Sequence, residues 1–189
     1  MPTKFNPDIR DSMLAKKRRE LVDPDRVISM IPLRPYHNVV DIGCGPGYFA
    51  VPLAKYVNQG KLYALDTQEE MLETCRERLD AVHLSNVEVL KCGEKKLPLD
   101  KDSMDGAFMA FVLHEAKDRK GFLVEAEKLL QKGGWLAVLD WHKQTMEEGP
   151  TLEERVSEEE ARELGEEVGL RFVSQRDING KNYLIIFRK

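Results

Sequence analysis

The stretch Asp41-Ile42-Gly43-Cys44-Gly45-Pro46-Gly47 sets three glycines closely behind a carboxylate. Glycines let a backbone come close to a ligand and tolerate dihedrals that other residues avoid. Asp66 follows the apolar run Leu62-Tyr63-Ala64-Leu65. A carboxylate at such a strand end can accept hydrogen bonds from both hydroxyls of a ribose. A dinucleotide fingerprint requires G-x-G-x-x-G. Counting from Gly43, the last of those positions is Tyr48, so the fingerprint fails. What remains is acidic-x-Gly-x-Gly-x-Gly. Asp41 at its head would repel a pyrophosphate but suits a ligand carrying an ammonium group.

Other residues offer chemistry on the acceptor side. His114, with Glu115 beside it, follows the apolar run Gly106 to Leu113. It reads either as a base or acceptor-positioning group, or as a loop residue packed on the sheet edge. Asp140, Trp141 and His142 follow another apolar run. Trp141 and His142 are candidates to line an acceptor pocket, Trp141 by stacking, although capping of the core by a large aromatic is the more usual role. Tyr48 either faces the ligand or packs against the first helix. The three cysteines, Cys44, Cys75 and Cys92, are odd in number and lack a paired metal-ligand spacing. No metal site and no disulfide framework is expected, and the scatter favours small buried residues over a metalloid-binding thiolate set. Lys16-Lys17-Arg18-Arg19 reads as a solvated helix face rather than a contact for RNA or acidic lipid.

These residues need a frame to bring them together. Asp23-Pro24 starts a helix whose face is Val27, Ile28 and Ile31, stopped by Pro32. Val39 to Ile42 is a buried strand. Tyr48 to Val57 reads as a helix with Pro52 in its first turn. Leu62 to Leu65 is a strand, and Met71, Leu72, Cys75 and Leu79 mark the apolar face of the next helix. Val87 to Leu90 and Gly106 to Leu113 are strands, the second apolar enough to be covered on both faces. Asp118 to Leu130 is a helix with Phe122, Leu123, Ala126, Leu129 and Leu130 inward, ended by Lys132-Gly133-Gly134. Trp135 to Leu139 is a strand, and residues 143–156 are a polar loop. Ser157 caps an acidic helix start, and Gly169 ends that helix. Leu170 to Ser174 and Tyr183 to Phe187 flank Asn179-Gly180, a hairpin signal. Strand and helix alternate and a hairpin closes the chain. The fold class is therefore α/β: a doubly wound, mainly parallel sheet with an antiparallel strand near the end. In such sheets ligands sit beyond the carboxyl ends of the strands, where the glycine loop and Asp66 fall.

The chain has 189 residues, the size of one ordinary domain, and its 42% hydrophobic and 33% charged residues describe a globular chain. We expect an arm or helix over residues 1–24 and a single domain over 25–189. The net charge of −4 argues against a general nucleic-acid binder. No apolar run reaches the length of a membrane span, and the polar N-terminus lacks a signal-peptide core, so a cytoplasmic address is expected.

The chain resembles the class I S-adenosylmethionine-dependent methyltransferases, in the branch similar to ubiquinone and menaquinone biosynthesis enzymes. The resemblance is carried by Val39 to Phe49, Leu65-Asp66 with Met71-Leu72, Leu97-Pro98-Leu99 with Asp105, Phe111-Val112-Leu113-His114, and Lys132-Gly133-Gly134-Trp135-Leu136. It spans roughly residues 25–189. It implies a Rossmann-like seven-stranded sheet of order 3-2-1-4-5-7-6 and S-adenosylmethionine as cofactor. It further implies that Asp41, Gly43, Cys44, Gly45 and Gly47 hold the methionine part, with Tyr48 nearby. Asp66 would hold the ribose, with Thr67 and Met71 near the adenine, and Ala110 is a further cofactor-binding candidate. The family usually has an acid four residues before the Leu of Leu97-Pro98. This chain has Gly93 there and Glu94 next to it, so Glu94 or backbone groups are expected to take the adenine amino contact. The expected activity is methyl transfer to a small molecule, with residues 1–25 and the 143–156 loop roofing the acceptor. The rivals are a sensor or partner protein that binds the cofactor without turnover, and an RNA methyltransferase served by the basic arm.

Overall fold

The computed structural model describes residues 16–93 and 95–189, in which helices separate most successive strands. Two short helices come first, α1 (Lys16–Leu21) and α2 (Pro24–Met30). They are followed by β1 (Asn38–Ile42), α3 (Ala50–Tyr56), β2 (Lys61–Asp66), α4 (Glu69–Asp80) and β3 (Val87–Lys91). Then come β4 (Met104–Ala110), α5 (Arg119–Leu129), β5 (Leu130–Trp141), α6 (Glu158–Glu167), β6 (Arg171–Asp177) and β7 (Asn182–Arg188).

All seven strands form one sheet of order β3-β2-β1-β4-β5-β7-β6. The pairs β1–β2, β1–β4, β2–β3 and β4–β5 are parallel, and β7 runs antiparallel to both neighbours. This is the fold class and strand order expected from the sequence. Strand pairing brings Asp41 of β1 beside Ala64 and Phe108, so the loop after Ile42 leaves the sheet between Asp66 and the end of β4.

The alternation of side chains along each strand builds a core on each face. Val39, Ala64, Phe108, Trp135, Ala137 and Leu139 pack with Val27, Leu53 and Leu72 of α2, α3 and α4. Val40, Leu65, Met109, Leu136 and Val138 pack with Leu123 and Ala126 of α5 and Ala161 of α6. Gly106 makes room for this packing. A Cβ there would lie 2.0 Å from the Trp135 ring.

Local signals match where side chain and backbone agree. Asp23 caps α2, accepting from Asp25 N, and Ser157 caps α6, accepting from Glu160 N. Met71, Leu72, Cys75 and Leu79 are the buried face of α4. Gly180 (φ +73) turns the β6–β7 hairpin. Two expectations are corrected. The strand expected to run to Leu113 stops at Ala110, because Phe111 takes φ +61. Lys132-Gly133-Gly134 does not end a helix. α5 ends at Leu129, and the three residues lie inside β5, where Gly133 (φ +81) donates to the Lys189 carbonyl. Leu130 is wholly buried in the second core, so the chain must turn into the sheet before the glycines arrive.

Candidate functional site

The carboxyl ends of β1, β2, β4 and β5 lie on one rim of the sheet, where the glycine loop, Asp66, His114 and Trp141 follow their strands. The glycine loop is clamped to β2: Gly43 N and Cys44 N both donate to the Leu65 carbonyl at 2.8 Å. Gly45 N donates to Asp66 Oδ2 and Gln68 N to Asp66 Oδ1, each at 2.9 Å. Gly43, Gly45 and Gly47 all have positive φ, at +76, +53 and +81. Two of them are also forced by neighbours. A Cβ on Gly43 would sit 2.2 Å from Val112 Cγ1, and one on Gly47 would sit 2.9 Å from Cys75 Sγ. Arg78 Nη1 donates to the Pro46 carbonyl at 3.0 Å and braces the loop from α4.

Asp41 lies at the base of this loop, almost fully buried, and its Oδ2 has no hydrogen-bond partner. Burial, helped by the nearby Asp66 carboxylate, pushes its pKa up to about 8. An unmatched buried acceptor costs about 1–3 kcal/mol. A cationic ligand group against Asp41 would supply the missing donor and draw the pKa back down. A phosphate would do the reverse. Burial also raises the Asp66 pKa, against the backbone N–H groups of Gln68, Gly45 and Thr67 that favour its charge. Each Asp66 oxygen takes one backbone N–H from those two bonds, which leaves lone pairs on both for hydroxyl donors. The donor set therefore fits a ribose next to an ammonium group.

On the β4–β5 side the chain builds a buried acid–imidazole pair. His114 Nδ1 lies 2.7 Å from Asp140 Oδ1, and the His114 backbone N donates to Asp140 Oδ2 at 3.2 Å. Trp141 N also donates to Asp140 Oδ1, at 2.8 Å. A carboxylate only accepts, so Nδ1 carries the hydrogen and Nε2 presents its lone pair. Burial works against imidazolium, but the Asp140 charge and hydrogen bond, aided by Glu115, raise the His114 pKa. Glu115 Oε1 is 4.0 Å from His114 Nε2. Burial, with Asp66, Asp140 and Glu154 adding repulsion against the His114 attraction, lifts the Glu115 pKa to about 7.

The rim above is aromatic. Phe111 and Trp141 meet at 5.5 Å between centroids, and the Arg155 guanidinium lies 5.7 Å from the Trp141 ring. Arg155 is fully buried and donates to the carbonyls of Pro150, His142, Gln144 and Glu148, which gathers residues 142–150 into a fixed loop over Trp141. A Cβ on Gly149 would lie 2.9 Å from the Trp141 ring, so the loop backbone rests on that ring.

Other predicted residues fall less simply. Tyr48 is buried and its Oη donates to the Val22 carbonyl at 2.8 Å, which ties it to the segment after α1. The rings of His142 and Trp141 point to different work. His142 Nδ1 is 2.6 Å from Glu158 and Nε2 is 3.1 Å from Asp177, so both ring nitrogens are engaged by carboxylates away from the aromatic rim. Thr67 follows Asp66, Met71 is buried at the start of α4, and Ala110 ends β4, partly exposed. Gly93 bridges to Lys96; Glu94, expected at the adenine, lies outside the described residues. The cysteines are less scattered than their numbering suggests. Cys44 Sγ donates to the Gly45 carbonyl at 3.5 Å, the neighbouring Cys75 thiol and then burial raise the Cys44 pKa, and all three cysteines are free thiols. Among the described residues no group of three or more His, Cys, Asp or Glu is placed to hold a metal ion.

Sequence reasoning missed Asp140 as the partner of His114, Arg155 as the loop's anchor, and Arg18. Each is a charged residue whose role depends on contacts distant in sequence. Only Asp140 carried a signal, an acid at the end of an apolar strand.

Comparisons with known proteins agree with this geometry. Residues 40–138 match the family described as a methyltransferase domain. The chain is 26% identical over 140 residues to a demethylmenaquinone methyltransferase of Bacillus cereus, covering 74% of this chain and 59% of that protein. The chain thus spans about six tenths of the length of that curated relative. A crystal structure of an S-adenosylmethionine-dependent methyltransferase from Aquifex aeolicus superimposes with a TM-score of 0.92 at 34% identity, covering 98% of this chain and 99% of that one. The [4+2]-cyclase SpnF shares the fold at a TM-score of 0.77 and 16% identity, covering 88% of this chain and 80% of that one.

Proposed function

Because the chain belongs to the S-adenosylmethionine-dependent methyltransferase-domain family, matched over residues 40–138, we propose that it transfers a methyl group to a small-molecule acceptor. The cofactor supplies a methyl group already activated on a sulfonium centre. The observation that carries the reading is Asp41, a buried carboxyl with one unpartnered oxygen beneath three positive-φ glycines and next to Asp66. Asp41 and the 43–47 loop would hold the ammonium end. Asp66 would hold the ribose hydroxyls, with Thr67, Met71, Gly93 and Ala110 around the base, and Cys44 backs the loop.

The work left to the protein is positioning and, for a protic nucleophile, proton removal. Holding reactants in line supplies about 7–11 kcal/mol of the barrier. His114 is the base in this reading: Asp140 holds Nδ1–H, so Nε2 is free to take a proton from a hydroxyl, thiol or ammonium acceptor. A well-placed base adds about 10²–10⁴-fold. Trp141 and Phe111 form the acceptor wall.

Two features support a small acceptor over RNA. The segments 111–118 and 142–157 that follow β4 and β5 add no further helix or strand. The basic run also loses two of its cations to internal contacts, Arg18 to aromatic rings and Arg19 to Asp25 at 2.7 Å. The purified chain should bind S-adenosylhomocysteine and release it from S-adenosylmethionine with some member of an acceptor panel of phenols, thiols and amines. Tight binding with no release across that panel would favour a sensor or partner protein; turnover only with RNA would overturn the small-molecule assignment.

A further inference from the structure

Arg18 was expected on a solvated helix face, and it is not there. Its guanidinium carbon lies 4.8 Å from the centroid of the Tyr48 ring and 5.4 Å from that of Phe111. Those rings belong to the residue after the glycine loop and the residue after β4, so Arg18 bridges the cofactor side and the acceptor side of the rim. Contacts with ring faces are favourable for a cation but satisfy none of the five N–H donors of a guanidinium. Among the described residues no carboxylate comes within ion-pair distance of Arg18 and no acceptor hydrogen-bonds it, although its neighbour Arg19 is paired with Asp25. Burial accordingly lowers its pKa, with Tyr48 opposing. The position is built: the Tyr48 hydroxyl holds the Val22 carbonyl at 2.8 Å, and Asn179 Nδ2 holds the Leu21 carbonyl at 2.6 Å. The carboxyl-terminal end of α1 is thus pinned to the loop on one side and the β6–β7 hairpin on the other.

We propose that Arg18 is the carboxylate-receiving residue of this site. A carboxylate takes two parallel N–H bonds from a guanidinium fork, which is the ligand that five idle donors held between aromatic rings would accept best. Two bound species can bring one: the amino-acid end of the cofactor, whose ammonium lies against Asp41 in the proposed function on which this inference rests, or an acidic acceptor against Phe111. In the first case Asp41 and Arg18 grip opposite charges of one zwitterion.

Calorimetric titration separates these sources without any turnover. S-adenosylhomocysteine and 5′-methylthioadenosine, which lacks the amino-acid end, are titrated into wild type, Arg18→Ala and Arg18→Lys; benzoate is then titrated into the proteins loaded with S-adenosylhomocysteine. A cofactor carboxylate predicts that Arg18→Ala weakens S-adenosylhomocysteine by about tenfold or more while leaving methylthioadenosine unchanged, with Arg18→Lys in between. An acceptor carboxylate predicts unchanged nucleoside binding and loss of benzoate. Equal weakening of both nucleosides would make Arg18 a brace for Tyr48 and overturn the proposal, as would no change in any titration. A wild type that binds neither nucleoside defeats the cofactor reading first and this inference with it.

Discussion

Replacing Asp41 by Asn tests the electrostatic core of the site. With a pKa of about 8, Asp41 is about nine-tenths protonated at pH 7 in the empty protein. An ammonium group placed at its unpartnered oxygen favours the ionised form, since opposite charges at contact lower a carboxyl pKa by about 1–3 units. A fall to about 6 or below would leave Asp41 mostly ionised. Binding of S-adenosylhomocysteine at pH 7 should therefore release close to one proton, about 0.8, from this residue. Calorimetry at pH 7 in two buffers of different ionisation enthalpy reads that number from the difference in apparent binding heat. Affinity should also rise with pH, by up to about tenfold per unit between about pH 6 and pH 8, and level off outside that window. Asp41→Asn should abolish the release and flatten the pH profile. Glu115, raised to about 7, is the other candidate donor, so Glu115→Gln must retain the release. Binding heat that is independent of buffer in wild type, or proton release that persists in Asp41→Asn, would refute the reasoning.

Asp140→Asn should lower the His114 pKa, seen by NMR titration of the ring, because the carboxylate that favours imidazolium is gone; an unmoved titration would sever the pair. Arg155→Met leaves carbonyls of four residues without their shared donor, and should cost at least about 3 kcal/mol, or roughly 6–12 °C in melting temperature for a chain of this size. Gly106→Ala puts a methyl 2.0 Å from the Trp135 ring and should destabilise by about 1–3 kcal/mol on denaturant melts, with nucleoside binding at native conditions preserved.

How much of this was legible follows from the range of the interactions involved. The alternation of strands and helices and the four buried residues of α4 rest on periodicities that survive packing, and the sequence displays them; the strand order came from the family resemblance. The end of β4 does not. Gly106 to Leu113 is apolar throughout, and nothing local announces that Phe111 takes φ +61. Its N–H donates to the Leu139 carbonyl at 2.8 Å, a contact from the neighbouring strand that holds the residue in a conformation costing about 1–3 kcal/mol. Lys132-Gly133-Gly134 looked like a helix end because glycine with positive φ serves both helix caps and strand irregularities. Burial of Leu130 decides between them. Trp141 ends β5 and His142 is the first residue beyond it, and the two side chains part there. One ring meets Phe111 and the other meets Glu158, a division that treating the dipeptide as one wall overlooks.

The acids of the rim act together. Asp41 and Asp66 lie under the loop, Asp140 beneath His114, and Glu115 beside it; Asp41, Asp66 and Glu115 all have raised pKa values, with burial the largest cause. A carboxyl whose folded pKa exceeds its unfolded value is most compatible with folding below the unfolded pKa. As pH rises from about 4 to about 8, the unfolded chain ionises Asp41 and the folded chain does not, so the empty protein loses stability across that window. For Asp41 the rise from 3.8 to about 8 corresponds to at most about 6 kcal/mol, which water and relaxation around the carboxyl reduce. In the proposed function a ligand bearing an ammonium group would remove much of that penalty by meeting Asp41 as an ion. The same arrangement that makes the empty site unfavourable near neutral pH would then favour that ligand over one of matched shape with a phosphate at that end, which would deepen the penalty. Arg18 completes the argument from the other sign of charge. Its guanidinium lies against the Tyr48 and Phe111 rings, and among the described residues no carboxylate pairs with it. In the proposed function one zwitterion would bring its ammonium group to Asp41, drawing that carboxyl into its ionised form, and its carboxylate to Arg18, so a single ligand would answer both signs.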